Sequence, residues 1–166
     1  MGRKNVSFRA VIILIACAIL VSCMRGEDYR KIIEKKGMPF TQESFLKGVK
    51  TGNREHVELF IKAGMDINTR DKDGSTALMV TSEKGDIEMA QLLIRNGADV
   101  NAKNIDGYTA LMYVAYKGNL AIAELLIKNK ADVNARDKDG WTALRYASIQ
   151  GRNDIIKLLT KAKDQK

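Results

Sequence analysis

One histidine, two cysteines and three evenly spaced aspartates are the residues of this chain whose types could support chemistry. A catalytic centre needs a nucleophile, an acid/base pair or a metal site. His56 lies within a stretch of helical apolar spacing, at a place where the next copy of that stretch carries Met89. It reads as a packing histidine. Asp66, Asp99 and Asp132 resemble a carboxylate series for a cation, but Asn68, Asn101 and Asn134 recur at the same interval of 33. The interval therefore accounts for the aspartates without a shared ligand. The glycines are isolated, so none forms a phosphate-cradling loop. No catalytic residue, metal site, cofactor or small-molecule substrate is expected.

The cysteines belong to a different feature. Arg3, Lys4 and Arg9 precede an apolar run from Ala10 to Val21 broken only by Cys17. A basic beginning, a short apolar segment and small residues at the exit make a secretory leader. The run is about a dozen residues, short of the roughly 20 that span a bilayer. Leu20-Val21-Ser22-Cys23 resembles the lipobox of bacterial lipoproteins. That resemblance implies a signal peptide over 1–22, cleavage before Cys23, and acylation of Cys23 that anchors the chain to a membrane. Leu14-Ile15-Ala16-Cys17 also fits the box, but cleavage there would leave only half of the apolar run as leader. Met24, where an aspartate would resemble an inner-membrane retention signal, points toward an outer membrane in an organism that has one. The expected location is the bacterial cell envelope, on the periplasmic or outer side of a membrane. A mature chain with Cys23 acylated would have no free thiol, hence no disulfide and no thiolate metal site.

Charge argues against nucleic acid. Of 28 basic residues three lie in the leader, leaving 25 against 20 acidic. The surplus sits at the two ends, in 24–36 and 157–166, while 37–156 is balanced at 16 against 16. A nucleic-acid binder presents a basic stripe on its working surface, and none is evident.

The elements that must position any site follow from a self-comparison. Gly74, Gly107 and Gly140 are 33 apart, and so are Thr76, Thr109 and Thr142; Leu78, Leu111 and Leu144; and Gly85, Gly118 and Gly151. A fixed period of this size means stacked supersecondary units, none of which can bury its apolar face alone. Asp-x-x-Gly suits a tight turn, the threonines are placed to cap a first helix, and Ile87, Ala90, Leu92, Leu93 and Ile94 have the spacing of a second. These segments, Asp71-Lys-Asp-Gly-Ser-Thr-Ala-Leu and Leu92-Leu-Ile-Arg-Asn-Gly-Ala-Asp-Val-Asn-Ala, resemble ankyrin repeats.

The resemblance implies an all-α ankyrin-repeat solenoid over 38–166: a degenerate repeat at 38–70 that keeps the pattern of the second half only, then 71–103, 104–136 and 137–166. The chain departs from the family's Thr-Pro-Leu-His with Thr-Ala-Leu-Met, Thr-Ala-Leu-Met and Thr-Ala-Leu-Arg. Lys130 stands where Gly64 and Gly97 end the second helices in a left-handed turn. Thr160 follows Ile61, Ile94 and Ile127 at one repeat position, giving the last unit a polar outer side. Residues 23–37 form either a tether or an N-terminal cap.

In the ankyrin family the turn tips and the exposed side of the first helix grip partners. Mapped onto this chain, that face includes Lys72, Lys84, Ile105, Tyr108, Tyr116, Lys117, Lys138, Trp141 and Ile149. Tyr108 and Trp141 follow the turn glycine where an earlier repeat has Ser75, and large rigid side chains are favoured at binding hot spots. Tyr113 and Tyr146 read as packing residues. The expected partner is another protein, gripped by a monomer tethered to a membrane. An immunity or inhibitor protein and an accessory subunit for an exported protein are concrete forms of that role. A structural envelope adaptor is the alternative.

Overall fold

The computed structural model describes residues 24–164. The leader and Cys23 lie outside the described residues, as do 165 and 166. Among the described residues there are nine helices and no strand. α1 (Gly26–Lys35) precedes four helix pairs: α2 (Gln42–Thr51) with α3 (Arg54–Lys62), α4 (Ala77–Lys84) with α5 (Ile87–Arg95), α6 (Ala110–Lys117) with α7 (Leu120–Lys128), and α8 (Ala143–Ile149) with α9 (Asn153–Asp164). First helices pack on first helices and second on second, giving an inner row α2, α4, α6, α8 and an outer row α3, α5, α7, α9.

Threonines start the inner helices as the spacing predicts. Thr76 Oγ1 accepts from Met79 N–H (3.4 Å), Thr109 Oγ1 from Met112 N–H (3.4 Å) and Thr142 Oγ1 from Arg145 N–H (3.5 Å). Outer helices use a second set of caps: Asp86 Oδ1 takes Met89 N–H at 2.9 Å and Asn119 Oδ1 takes Ile122 N–H at 3.1 Å. Each such bond satisfies one of the orphan donors of a helix start. Between the rows runs one apolar core, from Ile33, Phe45 and Phe60 through Leu78, Leu93, Leu111 and Leu126 to Ile155.

The first repeat is more complete than its sequence pattern. α2 is a full inner helix, capped by Thr41, whose Oγ1 accepts from Ser44 N–H at 3.2 Å. Thr41 falls two residues before the register of the later threonines, and Phe45 occupies the place of Leu78, so the periodic pattern hides the helix. Phe45, Leu46 and Val49 are buried by it.

Gly26–Lys35 is helical and fixed to α3. Ile33 is fully buried, Arg30 Nε donates to Ala63 O (3.0 Å), and Lys36 pairs with Glu55 (2.6 Å). At the other end Thr160 is exposed and its hydroxyl turns back to Ile156 O (2.9 Å).

Lys130 keeps the left-handed geometry of its glycine counterparts. Its φ is +65°, against +86° at Gly64 and +91° at Gly97, and it is the sole non-glycine with positive φ among the described residues. Its amide donates to Ile127 O (3.0 Å), and its carbonyl accepts from Asn101 Nδ2 (3.1 Å).

Candidate protein-binding face

Three turns, or fingers, project beside the inner helices. In each, one side chain closes the turn on itself. Asp71 Oδ1 accepts from the amides of Asp73 (3.0 Å) and Ser75 (2.9 Å), Asn104 Oδ1 from Asp106 (3.1 Å) and Tyr108 (2.8 Å), and Asp137 Oδ1 from Asp139 (3.0 Å) and Trp141 (2.8 Å). Neighbouring fingers are joined by main-chain bonds, Ile105 N–H to Asp73 O at 3.1 Å and Lys138 N–H to Asp106 O at 3.0 Å. The fit is tight at Gly107, where a β-carbon would stand 2.9 Å from Asp137 Cα.

The aspartates of the 33-residue series are used within the same architecture. Asp66, Asp99 and Asp132 accept through Oδ1 from the amides of Asn68, Asn101 and Asn134 at 2.9, 2.9 and 3.0 Å. Among the described residues no three His, Cys, Asp or Glu gather to hold a metal. His56 stacks on Phe60 with ring centroids 4.6 Å apart, and its Nε2 lies 3.0 Å from Ser44 O. Gly48 makes room for it, because a β-carbon there would meet His56 Cδ2 at 2.6 Å. The histidine is a packing residue.

The apolar surface is distributed differently. The large hydrophobic side chains that stand exposed among the described residues are Ile105 (58%), Tyr116 (47%) and Ile149 (56%). All three lie in the last two repeats. Ile105 is at a finger tip, while Tyr116 and Ile149 share one repeat position near the ends of α6 and α8. Beside Tyr116 a hollow of about 230 Å³ is lined by Glu83, Tyr108, Met112, Tyr113, Lys117 and Tyr146. A polar groove of about 580 Å³ adjoins it, sharing Glu83 and Tyr113 and continuing past Asp71, Asp73, Lys84 and Asp106 toward Lys50.

A tyrosine network sets the floor of the hollow. The Tyr108 ring lies tilted at 5.6 Å from both Tyr113 and Tyr146, and Trp141 lies 5.4 Å from Tyr146. The Tyr146 hydroxyl is bonded to Tyr108 Oη (2.9 Å) and donates to the buried Asp137 Oδ2 (2.5 Å); Asn104 Nδ2 donates to Tyr113 Oη (3.3 Å). Burial, then the Asp137 and Tyr108 bonds, push the Tyr146 phenol far above the ordinary tyrosine value; burial also raises Tyr113. Both rings therefore stay neutral and packed while their edges line the hollow. Tyr108 and Trp141 are half-buried, so each offers an edge and not a free ring.

Three of the four expected lysines are tied to neighbouring repeats. Lys117 pairs with Glu83 (3.3 Å) and lies over the Tyr116 ring (5.9 Å), Lys138 reaches Asp106 (3.9 Å), and Lys84 donates to Lys50 O. Lys72 is exposed at the first finger, on a separate hollow lined by Gln42, Glu43 and Lys47. Trp141 does not line the Tyr116 hollow; it lines a groove at the end of the stack. The nine expected contact residues thus divide. Tyr108, Tyr116 and Lys117 line the tyrosine hollow, Ile105 stands on its finger tip and Ile149 at the end of α8, outside the hollow, while Lys84 belongs with the polar groove, Lys138 with the finger row, Lys72 with the first finger and Trp141 with the end. Met112, Tyr113 and Tyr146 also line the hollow, which spacing alone does not reveal.

A family model for ankyrin repeats, in three copies, matches residues 40–104 and 81–166. The chain belongs to the ankyrin-repeat family. No curated protein matches it. Ankyrin repeats mediate protein–protein binding, and proteins built of them are typically non-enzymatic binding modules. In this ankyrin chain the large apolar side chains uncovered among the described residues stand on the second finger and near the ends of α6 and α8. Among the described residues, no helix is long and apolar enough to cross a membrane.

Proposed function

We propose that this ankyrin chain is a membrane-tethered binding module of the bacterial envelope that holds, and in its most concrete form inhibits, an exported protein partner. The observation that carries the reading is the uncovered apolar trio Ile105, Tyr116 and Ile149 on the last two repeats, with a preformed tyrosine hollow beside Tyr116. A preformed surface loses little conformational freedom on binding. Aromatic anchors flanked by polar groups are the usual centre of a protein interface. The polar groove beside the hollow supplies that flank, with Asp73 and Asp106 on consecutive fingers. The tether rests on the leader and on the Cys23 motif. An acyl anchor of several chains holds a protein stably, each buried CH₂ contributing about 0.8 kcal/mol. An immunity protein or an accessory subunit both fit a module of this kind.

Two substitutions test the two halves of the reading. Cys23→Ser releases the protein from membranes into the soluble fraction; continued membrane retention would contradict the anchor. Tyr116→Ala with Ile149→Ala abolishes co-purification of the partner after crosslinking in native membranes, with helicity unchanged by circular dichroism. Undiminished co-purification moves the interface off this face.

A further inference from the structure

Repeat-to-repeat hydrogen bonds run along the stack in three ladders, and among the described residues each reaches as far as the repeat at 137–166. In the finger ladder Asp73 O and Asp106 O each accept an amide from the following finger, at 3.1 and 3.0 Å. In the asparagine ladder Asn68 Oδ1 accepts from Asp99 N–H (2.8 Å) while its Nδ2 donates to Gly97 O (3.3 Å), and Asn101 repeats this with Asp132 N–H (2.7 Å) and Lys130 O (3.1 Å). In the third ladder Arg70 Nη1 donates to Lys103 O (2.6 Å) and Lys103 Nζ to Arg136 O (2.8 Å). The next members are Asp139 O, the Asn134 carboxamide and the Arg136 guanidinium. Among the described residues the first two have no partner, and Arg136 holds only Gly140 O of its own finger, at 2.7 Å.

These open groups converge. Asn134, Arg136, Asp139, Trp141, Leu144 and Arg145 line one groove of about 850 Å³ at the C-terminal end of the stack, with Lys163 of α9 at its edge. The end is finished on one side only. α9 turns polar at Thr160, whereas the finger and α8 leave Trp141 and Leu144 half-buried in the groove. Arg145 lies over the Trp141 ring at 4.6 Å, making a flat cationic platform. Arg136, Arg145 and Lys163 face a single carboxylate, Asp139. A second copy is a poor occupant, because its own C-terminal end is like-charged and its N-terminal segment also has a basic surplus.

We infer that this groove binds an extended acidic segment of a partner protein. Main-chain amides of the segment complete the bonds to Asp139 O and Asn134 Oδ1, and a main-chain carbonyl takes Asn134 Nδ2. Its carboxylates meet Arg136, Arg145 and Lys163, while an apolar side chain rests on Trp141 and Leu144. Charged hydrogen bonds of this kind are the stronger class, and the pre-aligned ladder ends fix the register. The site is separate from the tyrosine hollow and does not depend on the lipid anchor.

Trp141 is the only tryptophan of the chain, so its fluorescence reports on the groove directly. The probe is an acetylated, amidated eight-residue peptide alternating glutamate with valine or threonine, titrated into the full chain in detergent. A counterpart with lysine in place of glutamate is the control. The expected result is a saturable change with the acidic peptide alone, weakened at least tenfold by Arg145→Glu and by Asn134→Ala and unaffected by Tyr116→Ala. A flat titration, or an equal response to the lysine peptide, overturns the inference. So does full affinity in Asn134→Ala, which would mean charge attraction without the ladder. Sedimentation showing a dimer abolished by Arg145→Glu would assign the groove to a second copy and overturn it as well.

Discussion

Replacing Lys130 by glycine removes a β-carbon from a left-handed residue without touching anything else the residue does. Its φ of +65° brings the β-carbon close to the following carbonyl, which costs an L-residue about 1–2 kcal/mol. Both main-chain bonds, to Ile127 O and from Asn101 Nδ2, survive in Lys130→Gly, and the exposed side chain gives up no core packing. The opposing effect is the extra freedom of glycine in the unfolded chain, about 0.5–1 kcal/mol. The difference is a net gain of roughly 0.5–1 kcal/mol, or a rise in Tm of about 2 °C for a domain of this size. Urea unfolding followed by circular dichroism measures it, with the midpoint rising at constant slope. Lys130→Ala is the control, since it keeps the β-carbon and leaves the midpoint where it was. An unchanged or lower midpoint for Lys130→Gly would refute the claim that strain is stored there.

Further substitutions at three places probe the stack. The Thr81 and Ser82 hydroxyls are buried without a hydrogen-bond partner, while Val114 and Ala115 fill the same positions one repeat later. Thr81→Val and Ser82→Ala therefore each stabilise by about 1 kcal/mol, and a loss in either by thermal unfolding would mean an unseen partner. Gly107→Ala meets backbone at 2.9 Å where Gly140→Ala, at similar φ, meets nothing within 4 Å. The former costs more than the latter by about 1–3 kcal/mol of overpacking, and equal midpoints would deny the finger contact. Tyr146→Phe strands the buried Asp137 Oδ2 and costs about 1–3 kcal/mol near neutral pH. Tyr146 ionises at higher pH in the folded chain than in the unfolded one, so its contribution is complete below about pH 10 and declines as pH rises beyond that value. Denaturation across pH 8–11 shows a shallower alkaline decline in the phenylalanine variant, and identical slopes would contradict the burial of that phenol.

The fold was legible because glycine, threonine, leucine and asparagine do fixed jobs at fixed places, and 33-residue spacing exposes them together. α2 escaped because its job is done by different residues, Phe45 in place of leucine and Thr41 two residues ahead of register. For the exposed apolar residues, departure from the repeat was the useful signal. Ile105 stands where the earlier repeat has Lys72, and Tyr116 and Ile149 where it has Glu83, and the structure leaves all three exposed. Trp141 departs from the repeat in the same way yet lines a different groove, beside Arg136 and Arg145. The hydroxyl network of Tyr108, Tyr113 and Tyr146 was not readable from spacing. It depends on how closely each finger lies over the inner helices, a tertiary distance that no single repeat encodes.

The most direct test of the account places a photocrosslinking amino acid at position 116, at 105, or at the exposed Glu124 on the outer helix α7, in protein expressed in its own cells. The account predicts the same single protein adduct from 105 and 116 and none from 124. Adducts from 124 with none from 105 or 116 would put the partner on the opposite side and contradict it.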